Sequence, residues 1–379
     1  LTVPSGLHPN PHPNLTALLN SRITAGEFPS AVYIVAENGQ VVFTDAIGDA
    51  SREPESHPAT LETIYDLASL TKPLVTGLLC AQAIENRALR LDDPVAMYLD
   101  EFRREDKRSI TIRQLATHTS GLPAWRPLYL LTDNRDRALA AIAAQKPECR
   151  PGERVIYSDL GFIVLGFLLQ QVTLGSLAEL AMKKIFTPLN LTHTFFNPAE
   201  AMRTGIAACE TGNGYERDMC ERDFPGQTYV GWRSEIIWGA VHDGNAYFLG
   251  GAAGHAGLFS TADETLKLAN QFVAGFSELL SPATCELFRQ NMAKGLNEAR
   301  SFAWQLAATK DSTAGPSLPP DAFGHTGFTG TSCWVDPERQ RVFILLTNRT
   351  HARSLPFANI NSVRREFHRL AVAALDSNK

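Results

Sequence analysis

Ser69-Leu70-Thr71-Lys72 places a hydroxyl and an amine three residues apart. On a helix such residues share a face, so Lys72 can reach Ser69 Oγ and help remove its proton. The same four residues also describe an ordinary helix start with a solvated lysine, and alone they decide nothing. Tyr157-Ser158-Asp159 lies between Pro151-Gly152 and an apolar run that opens at Leu160. A tyrosine there suits a second base or proton relay, with Asp159 placing the lysine ammonium. The plainer reading is a turn in which Asp159 caps the next helix. His325-Thr326-Gly327 falls within Phe323–Gly330, directly before an apolar stretch. Glycine lets backbone approach a ligand closely, so an N–H here can point at a reacting carbonyl; otherwise this is a Gly-rich hairpin turn.

These residues need elements to hold them. Leu15–Ile23 reads as a short helix. Ala31–Ala36 and Val41–Ile47 are apolar and β-branched, and the Asn38-Gly39 between them is a strong hairpin signal because both turn residues must take positive φ. Helical spacing runs from Ser69 to about Ile84, through Leu74, Leu78 and Leu79. Asp92-Asp93-Pro94 starts another short helix. Further helical patterns cover Ile112–Thr117, Arg137–Gln145, Leu160–Gln170 and Ala262–Leu280. Residues 203–247 show little periodicity and read as a long loop, a length that tends to be functional in a compact protein. Strands return at Phe302–Ala308, Gly330–Val335 and Arg341–Thr347, and Asn359–Leu375 is an amphipathic helix. Strands at both ends with helices between predict an α+β fold: one antiparallel sheet built from distant segments, flanked by helices. The expected division is a sheet subdomain, about 14–72 with 250–379, interrupted by a largely helical subdomain, about 73–249, in a single catalytic unit spanning 1–379.

Composition narrows the function classes. The 379 residues are 44% hydrophobic and 20% charged, enough for a sizeable core. Lys+Arg 35 against Asp+Glu 40 leaves a net charge of −5, so no basic field exists to hold a nucleic-acid backbone. The longest apolar run, Leu160–Leu169, is half of what a bilayer span needs. The chain opens on Leu1 with no visible signal peptide. A soluble protein is expected, with the compartment left open between bacterial cytoplasm and periplasm and with room for an N-terminal signal removed before Leu1. The six cysteines are scattered, and free thiols are the expected state; Cys209 and Cys220 are the pair to form if the compartment is oxidising. His118, His242 and His255, even with Asp243, lack the spacing of a common metal site and suit structural hydrogen bonding. Trp232, Trp238 and Tyr247 suit either a pocket mouth or a core plug. No Gly-x-Ser-x-Gly elbow and no phosphate loop occur.

Taken in order, SxxK at Ser69–Lys72, Tyr-Ser-Asp 88 residues later and His-Thr-Gly another 168 on resemble the serine β-lactamase and D-alanyl-D-alanine carboxypeptidase superfamily. The chain looks most like its class C branch, which also holds penicillin-binding-protein relatives and carboxylesterases. Leu115–Pro123 resembles that branch's LLTHTSGLP, and Gly250–Thr261 its Gly-rich segment before a helix. The resemblance runs from about Phe28 to Asn348. Two departures stand out. Asp159 replaces the branch's usual Asn, which would hold Lys72 charged and argues for Tyr157 as the working base. His325 replaces the Lys usual in β-lactamases and leans toward peptidases and related hydrolases. Val241–Ala246 resembles penicillin-binding-protein relatives with D,D-carboxypeptidase activity.

The resemblance implies a serine hydrolase working through an acyl-enzyme. Ser69 attacks, Tyr157 and Lys72 share the proton, and Asp159 places Lys72. The N–H groups of Ser69 and Phe328 hold the oxyanion, with His325, Thr326 and Gly327 along the substrate. No metal or cofactor is called for. The expected substrate is a D-alanyl peptide, a β-lactam or a small ester. Three activities stay open: a D,D-carboxypeptidase-like or esterase activity, a class C-like β-lactamase, and a relative that acylates without turnover.

Overall fold

The computed structural model describes residues 7–377. Strands β1 (Ser30–Glu37) and β2 (Gln40–Ser51) form the expected hairpin, with Asn38 and Gly39 at φ 52° and 74° and Glu37 opposite Gln40. Two short strands follow, β3 (His57–Pro58) and β4 (Tyr65–Asp66). The C-terminal part adds β5 (Phe259–Ser260), β6 (Gln305–Leu306), β7 (Phe323–Thr326), β8 (Ser332–Asp336) and β9 (Arg341–Thr347). The main sheet has seven strands, all antiparallel, in the order β3-β2-β1-β9-β8-β7-β6. Pairing of β1 with β9 joins the two ends of the chain, as the distribution of strands predicts.

Both faces of this sheet are covered, which explains why β1 is continuously apolar. Ala31, Tyr33 and Val35 pack with Leu15, Leu19 and Phe367 of the two terminal helices, Pro13–Thr24 and Asn361–Ser377. Val32, Ile34 and Ala36 point the other way, into a core that continues through Leu74, Leu78 and Leu165 into the helical part. The Asp159–Thr173 helix is apolar nearly all round because it is buried nearly all round. Among the described residues no single helix is long and apolar enough to cross a membrane.

Four expectations need correction. The run after Ser69 is not one α-helix: a 3₁₀ turn (Ala68–Leu70) passes into a widened π-type turn (Lys72–Gly77) and only then into an α-helix (Leu78–Glu85). Pro73 has no N–H to give the helical ladder, and wide turns of this kind recur at functional sites. The helix from Ala262 ends at Asn270, where Gln271 turns back and its Oε1 accepts the N–H groups of Glu278 and Leu279. The strand expected over Phe302–Ala308 shrinks to Gln305–Leu306 because Ala303 sits at φ 66°. The long loop, 203–247, contains a ten-residue helix, Gly214–Asp223, and the start of another, Gly244–Phe248. The first of these is polar overall, so no apolar stripe marks it in the sequence.

All six cysteines are free thiols. Cys220 faces Tyr129, with Sγ 3.6 Å from its hydroxyl, and does not pair with Cys209.

Candidate active site

Ser69 follows a strained residue. Ala68 has φ 47°, a left-handed conformation that costs a non-glycine residue about 1–2 kcal/mol. Asp66 holds it there: Oδ1 accepts the Ala68 N–H at 2.8 Å and Oδ2 the His242 N–H at 2.7 Å. The end of β7 is laced to the same turn. Thr329 Oγ1 and Thr331 Oγ1 donate to the carbonyls of Asp66 and Leu67 at 2.7 and 2.9 Å. A Cβ on Gly327 would lie 2.5 Å from Leu67 O, so only glycine lets the two segments come this close. That approach sets His325, Thr326, Gly327 and Phe328 along one wall of a cavity of about 580 Å³ with Ser69 in another.

Lys72 is fully buried beneath Ser69. Its ammonium donates to Ser69 Oγ at 2.8 Å and to the His255 carbonyl at 3.1 Å, and it is ion-paired with Asp159 Oδ1 at 2.7 Å. Asp159 is free for this role because it does not cap its helix. Ser158 does, accepting the Gly161 N–H at 3.1 Å and donating to Pro123 O at 2.7 Å. Tyr157 lies against Lys72, with the ammonium 5.0 Å from its ring centre, and its hydroxyl interacts with both Lys72 and Ser69.

The Leu115–Pro123 segment cradles this turn. His118, at φ 59°, accepts the Ser158 N–H on Nδ1 at 3.0 Å and the Ile156 N–H on its carbonyl at 2.8 Å. His242 pairs with Glu210 at 2.8 Å and His255 with Asp243 at 2.9 Å. So all three histidines make structural hydrogen bonds. Among the described residues no group of three His, Cys, Asp or Glu could hold a metal ion.

Electrostatics set the resting protonation. Burial alone would pull the Lys72 ammonium down, but the Asp159 charge and Tyr157 outweigh it and the net direction is up. Burial also pushes the Tyr157 hydroxyl up; the Lys72 charge opposes that and the Asp159 charge adds to it. The site therefore rests with Lys72 charged and Tyr157 neutral. His325 is neutral as well: burial, then the Lys72 and Arg300 charges, hold it well below its ordinary value. Its Nδ1 donates to Thr326 O at 2.9 Å, which leaves Nε2 as a buried, unpartnered acceptor.

Several residues of the cavity wall are not legible in the sequence. Arg300, Arg349 and Arg364 bring positive charge and Glu216 negative, beside Asp243 of the Val241–Ala246 motif. Burial and the Asp243 charge push Glu216 up to about 7. The aromatic wall is Trp125, Tyr215, Phe328 and Phe357. Trp232, Trp238 and Tyr247 are not part of it. Trp238 donates to Ile206 O at 2.7 Å, Trp232 packs on Tyr129 and Tyr229, and Tyr247 lies exposed under Arg233. Isolated arginines on a loop, after a strand and on an amphipathic helix carry no local signal; only folding puts them together.

Comparison with known proteins gives three consistent findings. A family model described as Beta-lactamase matches residues 15–363. A protein of Escherichia coli strain K12 named "Putative D-alanyl-D-alanine carboxypeptidase" is 30% identical over 351 residues, covering 86% of this chain and 79% of that one. Among solved structures, EstCE1, titled "a hydrolase with promiscuous acyltransferase activity", superposes with a TM-score of 0.72 at 24% identity, covering 94% of this chain and 97% of that one. A class C beta lactamase from Rhodobacter sphaeroides gives 0.70 at 20% identity, covering 96% and 99%.

Proposed function

The chain belongs to the beta-lactamase family, whose members here are hydrolases, and from that premise we propose that it is a serine acyl hydrolase acting on amide or ester bonds. The best-supported activity is D,D-carboxypeptidase-like or esterase. The observation that carries this reading is the 2.8 Å contact of a fully buried, charge-paired Lys72 with Ser69 Oγ at the wall of an open cavity. Ser69 Oγ attacks the carbonyl carbon, and the resulting oxyanion is held by the N–H groups of Ser69 and Phe328. The C–N or C–O bond breaks and the leaving amine or alcohol takes the proton that Ser69 gave up. Water then attacks the acyl-enzyme, releasing the acid and returning a proton to Ser69. Lys72 and Tyr157 pass these protons as one unit, with Asp159 placing Lys72, and no metal or cofactor takes part. Residues 14–72 and 250–379 serve in this reading as a sheet subdomain and 73–249 as a helical one, with Ser69 between them. His325 and Thr326 meet the polar tail of the substrate.

The test is intact mass after mixing with a penicillin and, separately, with a p-nitrophenyl ester. A stable penicilloyl adduct on Ser69 together with ester turnover is the expected result. Rapid penicillin hydrolysis without an adduct would assign a β-lactamase instead. If neither reagent reacts, the acyl-enzyme reading fails.

The protonation pattern predicts a pH response. The reactive form must lose a proton from a network whose lysine and tyrosine are both displaced upward by Asp159. Asp159→Asn removes that charge, so more of either base is free at a given pH. The rise of kcat/KM with pH, followed on the ester, is expected to move to lower pH in this variant. An unmoved midpoint would show that Asp159 does not control the base. Stability has the opposite sense: Lys72's folded value lies above its ordinary 10.5, so the pair stabilises the protein below that pH and the contribution is lost as pH rises through the folded value.

A further inference from the structure

Lys72 can serve Ser69 only if its long, flexible stem is held in one position. Of the groups that hold its ammonium, Ser69 lies three residues before it and Asp159, its ion-pair partner, starts a buried helix. The His255 carbonyl, by contrast, belongs to Gly250–Gly257, where Gly250, Gly251 and Gly257 have φ 91°, 88° and 114° and no regular element holds the chain. Something must pin this segment. Thr76 Oγ1 donates to Gly254 O at 2.7 Å, and Ala253 and Ala256 exchange backbone hydrogen bonds at 3.2 and 3.3 Å. Gly254 is pressed so close to the Asp159–Thr173 helix that a Cβ would lie 2.0 Å from Phe162 O.

The side-chain tether of the acceptor residue itself is the 2.9 Å bond between His255 Nε2 and Asp243 Oδ1. His255 is 1% exposed, and its Nδ1 has no partner, so the orientation of the ring rests on Asp243. Asp243 is fixed in turn. The same Oδ1 caps the Gly244–Phe248 helix through the Ala246 N–H at 2.8 Å, and the preceding residue's N–H is bound to Asp66, the carboxylate that holds Ala68. Two consecutive residues, His242 and Asp243, thus reach both halves of the Ser69–Lys72 pair.

We propose that Asp243 is a positioning residue: through the His255 ring it fixes the His255 carbonyl, and that carbonyl, with the Asp159 ion pair, aims Lys72 Nζ at Ser69. This rests on the acyl-hydrolase reading above and gives the Val241–Ala246 motif a mechanical role in place of a bare resemblance. Asp243 also lines the cavity, so direct contact with substrate is the rival role, and the two differ in what they do to kcat and KM.

The experiment measures p-nitrophenyl ester turnover across pH for wild type, Asp243→Ala, Asp243→Asn and His255→Phe. Asn keeps an acceptor for the His255 and Ala246 N–H groups and loses only the charge. Asp243→Ala is expected to lower the plateau kcat about 50-fold, the scale of an ångström-sized misplacement, with KM within about twofold. Asp243→Asn should restore the plateau to within about threefold. His255→Phe should match Asp243→Ala, and the double variant should be no worse than either alone; this arm decides the matter if Asp243→Ala does not fold. A raised KM at unchanged kcat would make Asp243 a substrate contact and overturn the proposal. An Asn variant as slow as Ala, an unaffected Ala variant or additive losses in the double variant would also overturn it. If wild type forms no Ser69 adduct, the function has been misread; if it does and Asp243→Ala keeps pace, only this placement is wrong.

Discussion

Replacing Ser69 with alanine should lower p-nitrophenyl ester turnover by on the order of 10⁴-fold or more and abolish any penicilloyl adduct, with the thermal unfolding midpoint nearly unchanged. The size follows from the role: Ser69 Oγ is held 2.8 Å from the buried, charge-paired Lys72 ammonium, and the other hydroxyl at that ammonium, the Tyr157 phenol, is the proton relay in this reading and not the attacking group. The small effect on stability follows from the packing. Ser69 is only partly buried, whereas Ala68 and Leu70 on either side are buried and hold the turn. Removing the hydroxyl even leaves Lys72 with its Asp159 ion pair and the His255 carbonyl, so its charge stays satisfied. Stopped-flow turnover and intact mass on the purified variant check both halves. A Ser69→Ala enzyme that still hydrolyses the ester at a tenth of the wild-type rate would rule Ser69 out as the nucleophile.

Lys72→Met is the second large effect. Methionine fills much of the same volume, so the loss is of charge and of proton transfer and not of packing. Turnover should fall about 10³-fold, within the range of a general base. Tyr157 cannot compensate. The Lys72 charge is what opposes the upward push on its hydroxyl, so removing Lys72 leaves still less phenolate to accept a proton at neutral pH. Stability should fall too, because the Asp159 carboxylate loses its partner; being partly exposed, it should lose less than a fully buried ion does, about 2 kcal/mol. The double variant Lys72→Met, Asp159→Asn separates the two effects. It should recover most of the unfolding midpoint and none of the activity. Recovery of activity in the double variant would mean that Lys72 serves only to neutralise Asp159.

The parts of the site legible in the sequence share one property: their chemistry lies within a few consecutive residues. Ser69 and Lys72 are one turn apart, Tyr157 and Asp159 share a turn, and His325 to Phe328 form one strand end. The cysteines illustrate the opposite case. Cys209 and Cys220 share a polar stretch and are the pair to form only in an oxidising compartment; both are free thiols, and Cys220 lies on the Gly214–Asp223 helix facing Tyr129. Asp159 is instructive as well. Its neighbour Ser158 has the better geometry for the cap, and that local competition leaves the carboxylate for Lys72.

By itself the sequence determined the fold class, the joining of the two chain ends in one sheet, and the order of the candidate site residues along the chain. Periodicity, turn chemistry and short-range spacing are encoded residue by residue, so they survive without coordinates. Only the tertiary structure decided the left-handed turn before Ser69, the widened helix after it, and the cavity wall of Arg300, Arg349, Arg364 and Glu216. It also decided that the His255 carbonyl accepts from the Lys72 ammonium. These depend on distant backbone segments packing to within van der Waals contact, as Gly327 does on Leu67 and Gly254 on Phe162. Such proximity is a property of the closed sheet and the helices packed on it, and no local pattern of residues records it.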